Sequence, residues 1–256
     1  MEIPTLAPET LFHIGSLPIT NTIINVWLAI GILFVIGIIL KKRVSLKPGK
    51  MQNFMEFFLE KLLGYCDQVT GDRKKTLRFF PLVGSVFFFI LLSNWLGLLP
   101  GTGSIHIGEA PLLRPANADL NLTLAMAVLT VLISHIVGLF TVGIFTHLGK
   151  FIQIKGLIKS LRHGPVAIFT AIINLAVGFI EIISEFAKVL SLSLRLFGNI
   201  FAGEVLITVI SSILAIILPT PFMLLELLVG LVQASVFTML TLVYLTVMSS
   251  APHEAH

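Results

Sequence analysis

Apolar positions in this chain come in long unbroken runs rather than in the alternation of half-buried helices and strands. Ile23 to Leu40 is 18 residues without a charge and ends in Lys41-Lys42-Arg43. Further runs cover 79–99, then 120–146 with His135 its only titratable residue, then 222–248 with Glu226 its only charge. Each reaches the roughly 18 residues that cross a bilayer, so each predicts a membrane helix. The segment 165–217 differs: its 53 residues contain no internal proline. As one helix it would measure about 80 Å against a hydrocarbon core of about 30 Å. It also carries Glu181, Glu185, Lys188, Arg195 and Glu204, leaving apolar ends that are each too short to span. A steeply tilted or broken helix making one net crossing is expected. The fold class is therefore all-α, a single integral membrane domain over 1–256 with five crossings. Between the spans, Met51 to Leu63 mixes charges into an apolar pattern at helical spacing, which predicts an amphipathic helix on the membrane surface.

Composition agrees, with 56% apolar and 12% charged residues, where a soluble domain carries about 25% charged. Charge adds orientation. Ten of the 17 Lys and Arg lie in 41–78 and four more in 147–164, whereas the loop 100–119 has Arg114 alone. Basic loops stay cytoplasmic, so the segment 1–22 and the C-terminus are expected outside and inside, respectively. A net charge of +4 divided between loops in this way is topology, not a nucleic-acid stripe. MEIPTLAPET has neither the basic start of a secretory signal nor the arginines of a transit peptide, which suits a bacterial inner membrane or, alternatively, an organelle-encoded protein. The single cysteine, Cys66, has no metal-ligand spacing around it. GIFTHLGK and GTGSIHIG lack the spacing or setting of a phosphate or dinucleotide loop, so no nucleotide, cofactor or metal is expected on this chain.

Charged groups inside a membrane are costly and mark ion paths. At 100° per residue, Ser184, Ala187, Ser191, Arg195, Gly198 and Ala202 share a sector of about 80°, a stripe of small residues with one arginine. Glu204 lies nine residues beyond Arg195 and faces away from that stripe. In the next run Glu226 and Gln233 share a face, with Tyr244 near the same line. Pairing Glu204 with Glu226, or Arg195 with Gln233, gives midpoints of 215 and 214. Both fit one antiparallel hairpin turning near Ser212 to Leu218. Two carboxylates brought together in this way share a proton.

At LSLSLRLFGNIFAGE, Leu190 to Glu204, the sequence resembles the a subunit of the F-type ATP synthase, the stationary partner of the rotating c ring. LKPGKMQNFMEF, NWLGLLP, PANADLNLTL and LVQASVFTMLTLVYL agree in the same order. The resemblance implies a non-catalytic, proton-translocating stator subunit with two offset half-channels, each reaching the ring carboxylate from one side. Its partners would be the c ring, the stator b subunits and the remaining synthase, within the lipid bilayer. It implies the essential arginine at Arg195, supporting amides at Asn199 and Gln233, and the outer acid at Glu204 with its partner at Glu226. Ser191 and Glu181 fall near the inner path, and Asp119 matches the acid after the outer loop. Gly97 stands where some members carry Asp.

Other readings accompany these. Arg195 could pair with Glu181 or Glu185, although these lie about 21 and 15 Å away along a helix. Glu185 and Lys188 could neutralise each other at i, i+3. His135 could join two helices by a hydrogen bond, and Asp119 could be only an N-cap. A self-contained proton-coupled transporter would show internal repeats, and a sodium-translocating version of the same subunit would differ in the ring carboxylate on another chain.

Overall fold

A computed structural model describes residues 5, 7–45, 48–99, 106–107, 110–144, 146, 165–213 and 218–250. Its elements are β1 (Thr10–Ile14), β2 (Leu17–Thr20), α1 (Asn21–Arg43), α2 (Lys50–Thr70), α3 (Arg73–Gly97), β3 (His106–Ile107), β4 (Ala110–Pro111), α4 (Leu120–Val142), α5 (Pro165–Ile213) and α6 (Pro219–Ser249). A single 3₁₀ turn at Ala116–Ala118 precedes α4. Among the described residues five helices, α1 and α3 to α6, are long and apolar enough to cross a membrane.

Local chemistry sets the ends of these helices. Thr20 caps α1 by accepting from the Ile23 amide, and Asp72 caps α3 by accepting from the Lys74 amide at 2.8 Å. Asp119 does the same for α4 through the Asn121 amide at 2.9 Å; such caps satisfy amides left open in the first turn. Gly71 ends α2 with φ of +65°, and its amide returns to the Asp67 carbonyl. These signals move several expected boundaries. Asp72 draws Arg73, Lys74, Lys75 and Arg78 into the start of α3 rather than leaving them in a loop. Gly143, with φ of +92°, stops α4 before Thr146, and Pro219 opens α6 three residues before 222.

The segment 165–217 is one continuous helix over its described part, 49 residues or about 73 Å long. Of the two forms expected, the unbroken one is found. The amphipathic helix runs to Thr70, well beyond Leu63. The N-terminal segment contains an unforeseen two-stranded hairpin, β1 with β2, turning at Gly15 with φ of +64°. The expected loop 147–164 and the apex residues 214–217 lie outside the described residues.

Packing centres on α6, which lies against α3, α4, α5 and α2, while α4 also runs along α5 and α1 lies against α3. Phe87, Ile90, Leu192, Leu196, Ala234 and Phe237 form the buried core between α3, α5 and α6. Gly230 permits the close approach of α3, since a Cβ there would stand 3.1 Å from Asn94 Cβ. Beneath them, α2 turns Leu62, Leu63 and Cys66 inward and leaves Phe54 and Phe57 exposed.

Cys66 is fully buried, and burial, with Asp67 beside it, pushes its thiol up to about 11. Only the thiolate attacks electrophiles. In detergent-solubilised protein at pH 8, maleimide should therefore leave Cys66 unlabelled, and denaturant should restore full labelling. Rapid labelling of the native protein would show that α2 is not packed as described.

Candidate functional site

Two polar clusters lie along α5 with Arg195 between them. The first is built on Glu185. Its Oε1 accepts from Lys188 Nζ at 2.7 Å, and His135 Nε2 of α4 is 3.4 Å from its Oε2. The Lys188 ammonium lies 5.4 Å from the Tyr244 ring centroid, bringing in α6. Glu185 and Lys188 thus neutralise each other, and His135 joins α4 to α5; the structural readings of these groups are realised in the geometry. Glu181 sits half-buried one turn earlier.

The second cluster is built on Glu204. Arg114, only 4% exposed, donates from Nε to Glu204 Oε1 at 2.8 Å and from Nη2 to Oε2 at 3.0 Å. Two-pronged pairing of this kind is the strongest ordinary form of a carboxylate hydrogen bond. The remaining guanidinium donors reach the Thr5 carbonyl at 2.7 Å and the Ala7 carbonyl at 3.2 Å. Asn25 of α1 donates to the Arg114 carbonyl at 2.8 Å. Thr22 donates to Asp119 Oδ2 at 3.2 Å, so Asp119 both caps α4 and ties it to α1. Asn117 donates to Asn94 Oδ1 at 2.7 Å, and Asn94 donates to the Gly230 carbonyl at 3.3 Å. Glu226 completes the cluster. It is 7% exposed, its carboxylate rests on Gly203, and its Oε1 is buried without a hydrogen-bond partner among the described residues.

This arrangement corrects the expected carboxylate pair. Glu204 and Glu226 do meet the hairpin at one level, since Glu226 packs on the residue before Glu204. Glu204, however, is bonded to Arg114, a cation from a segment 90 residues away, so its bonded partner is a guanidinium instead of a second acid. The amide partner is also shifted by one turn. Gln233 Oε1 accepts from Asn199 Nδ2 at 2.7 Å, and the hydrogen bond of Arg195 is to Ser191 Oγ, at 3.1 Å on its own helix. Arg195 has no ion pair among the described residues, and with Ser191, Ala187 and Ala202 it stands on an exposed face of α5.

Sequence reasoning missed Arg114, Asn25, Thr22, Asn94 and Asn117 as members of the site. The available signals were the only basic residue of its loop and amides within apolar runs. Gly97 also gains a reason: a Cβ there would fall 2.7 Å from Pro115 Cα, so this backbone leaves no room for a side chain.

The fold and site define a polytopic all-α membrane protein with ionisable groups paired between its helices. The family model described as "ATP synthase A chain" matches residues 23–246. Similar curated proteins include "ATP synthase subunit a" of Moorella thermoacetica, 36% identical over 93% of this chain and 94% of that one. "ATP synthase subunit a 2" of Syntrophotalea carbinolica is 35% identical over 91% and 86%. "ATP synthase subunit a" of Geotalea daltonii is 33% identical over 88% and 86%. The chain belongs to the ATP synthase A chain family.

The α5–α6 register is open to test by disulfide trapping. With Cys66 replaced by Ser, cysteines at 199 and 233 should crosslink readily under mild oxidation, and cysteines at 195 and 233 more slowly. The reverse order would place the helices one turn out. Gly203→Ala should displace the Glu226 carboxylate and lower any ion flux carried by the protein several-fold; unchanged flux would separate Glu226 from that activity.

Proposed function

We propose that this chain is the stationary proton-translocating subunit of the membrane sector of a bacterial F-type ATP synthase. It presents two offset half-channels to the carboxylates of a rotating c ring and is anchored by stator b subunits within the bilayer. The observation that carries this reading is the order of groups along α5. Arg195 lies ten residues from Glu185 and nine from Glu204, about 15 and 14 Å. A polar cluster therefore flanks it on each side, and its own side chain is exposed between them.

Each part follows from elementary electrostatics. Arginine stays protonated at any working pH. A ring carboxylate arriving opposite Arg195 is held ionised by it and gives up its proton to the neighbouring inner path. The same fixed positive charge repels a proton seeking to cross directly from one cluster to the other. Small neighbours at Ser191, Gly198 and Ala202 let the ring helix approach closely, and a Cβ at Gly198 would meet nothing within 4 Å. The Asn199–Gln233 bond braces α5 against α6 one turn from Arg195. Glu204, Glu226 and Asp119 line the outer path, Ser191 and Glu181 lie near the inner one, and Glu185, Lys188, His135 and Tyr244 form the polar cluster beside it. The basic-loop asymmetry supports an N-terminus outside and a C-terminus in the cytoplasm.

Arg195→Ala should abolish ATP synthesis driven by a proton gradient while the complex still assembles. Arg195→Lys should not restore it fully, because a point charge lacks the planar fork. The measurement is coupled synthesis in membrane vesicles with subunit content checked by immunoblot. Near-normal synthesis with Arg195→Ala would overturn the reading.

A further inference from the structure

We propose that Arg114 is a positioning residue of the outer path: it holds Glu204 as a fixed counter-ion and latches the N-terminal segment onto this cluster, which leaves Glu226 to take the arriving proton. This inference rests on the ion-path reading above and assigns the two acids of the outer cluster different tasks.

Geometry separates the two acids. Both Glu204 oxygens accept hydrogen bonds from Arg114, at 2.8 and 3.2 Å from Nε and at 3.0 Å from Nη2. Protonating either oxygen would exchange a charge-assisted pairing for a weaker neutral one, and the guanidinium cannot give up its own charge to compensate. Glu226 has the opposite setting, with its Oε1 buried and unpartnered among the described residues and its carboxylate wedged against Gly203, one residue from Glu204. The guanidinium is committed on its far side as well, to the Thr5 and Ala7 carbonyls. One side chain therefore joins the N-terminal segment, the loop before α4 and the middle of α5. The charged groups around Glu204 are Arg114, Glu226 of α6, Glu9 of the N-terminal segment and, at the α4 cap, Asp119. From α1 come Thr22 and Asn25, and 21–40 contains no charge. Among the described residues, Arg114 is thus the cation bonded within this acidic cluster.

Removing it would leave Glu204 buried and unpaired, a state that strongly disfavours the charged form. Glu204 would then compete with Glu226 for protons. The test is proton flux against pH in vesicles containing the intact complex. Arg114→Gln should move the flux–pH profile by about one unit or more, and Arg114→Gln with Glu204→Gln should bring it back towards the parent. Arg114→Lys should give a smaller movement in the same sense, since one ammonium cannot serve two carboxylate oxygens and two carbonyls. Glu226→Gln should stop flux in every background. Should Arg114→Gln fail to assemble, Arg114→Lys with and without Glu204→Gln reads the same comparison. An unmoved profile in the Arg114 variants, a shift that survives Glu204→Gln, or normal flux with Glu226→Gln would each overturn the proposal. Arg195→Ala in the same vesicles is the control. Intact gradient-driven ATP synthesis there defeats the ion-path reading itself, whereas lost synthesis with a different Arg114 pattern defeats only the latch.

Discussion

A charge placed in hydrocarbon costs several kcal/mol unless it finds a partner or water, and the arrangement of this bundle follows from that cost. Along α5, Glu185 meets Lys188 and His135, and Glu204 meets Arg114. Each pairing recruits a second or third element: α4 and α6 for the first, the segment before α4 and the N-terminal residues for the second. Hydroxyls on the apolar helices are handled locally. Ser235, Thr241 and Thr246 each donate to the carbonyl one turn back. The carboxylates and amides cannot be satisfied that way, so they fix which helix faces which.

The same rule accounts for the irregular chain between α3 and α4. Non-helical backbone is tolerated at membrane depth only where protein or a cavity surrounds it, and Arg114, Ala116, Asn117, Ala118 and Asp119 are all buried. Asn94, Asn117 and the Gly230 carbonyl tie this stretch to α3 and α6, Asn25 and Thr22 tie it to α1, and Thr123 stands 3.3 Å from Ser193 of α5. An interhelical hydrogen bond in a membrane contributes only about 0.6 kcal/mol on average. No single one holds the loop, and its position depends on the set.

What could be read from sequence divides along physical lines. Uncharged runs longer than a bilayer are a property of the chain itself, so the spans were legible, while their ends shifted wherever Asp72, Gly143 or Pro219 imposed a cap or a stop. The hairpin level was legible too, because two polar residues on each of two adjacent helices constrain one turn; Glu226 against Gly203 falls where the midpoint required. The partner of Glu204 was not. Arg114 lies in a separate loop, and no periodicity relates a loop residue to a helix face it meets only after folding. Pairing the two nearest acids was the natural reading without it. The one-turn shift from Arg195 to Asn199 as the partner of Gln233 has a similar origin, since helical geometry makes positions four apart nearly equivalent.

The pairings also explain why Arg195 is different in kind from its neighbours. Lys188 offsets Glu185 and Arg114 offsets Glu204, so both acidic positions flanking Arg195 are already balanced within the chain. Arg195 is left with a neutral hydroxyl, Ser191, as its bonded partner. A guanidinium cannot shed its proton to escape the cost of a poorly hydrated surface, as a lysine could. It must therefore take a carboxylate from outside the chain, or water. If Glu204 were not committed to Arg114, the hairpin would carry an uncompensated acid about 14 Å from Arg195, and long-range attraction would weaken the hold of Arg195 on an arriving group. With Glu185 and Glu204 both paired within the chain, the Arg195 guanidinium is left, among the described residues of α5, without an internal carboxylate.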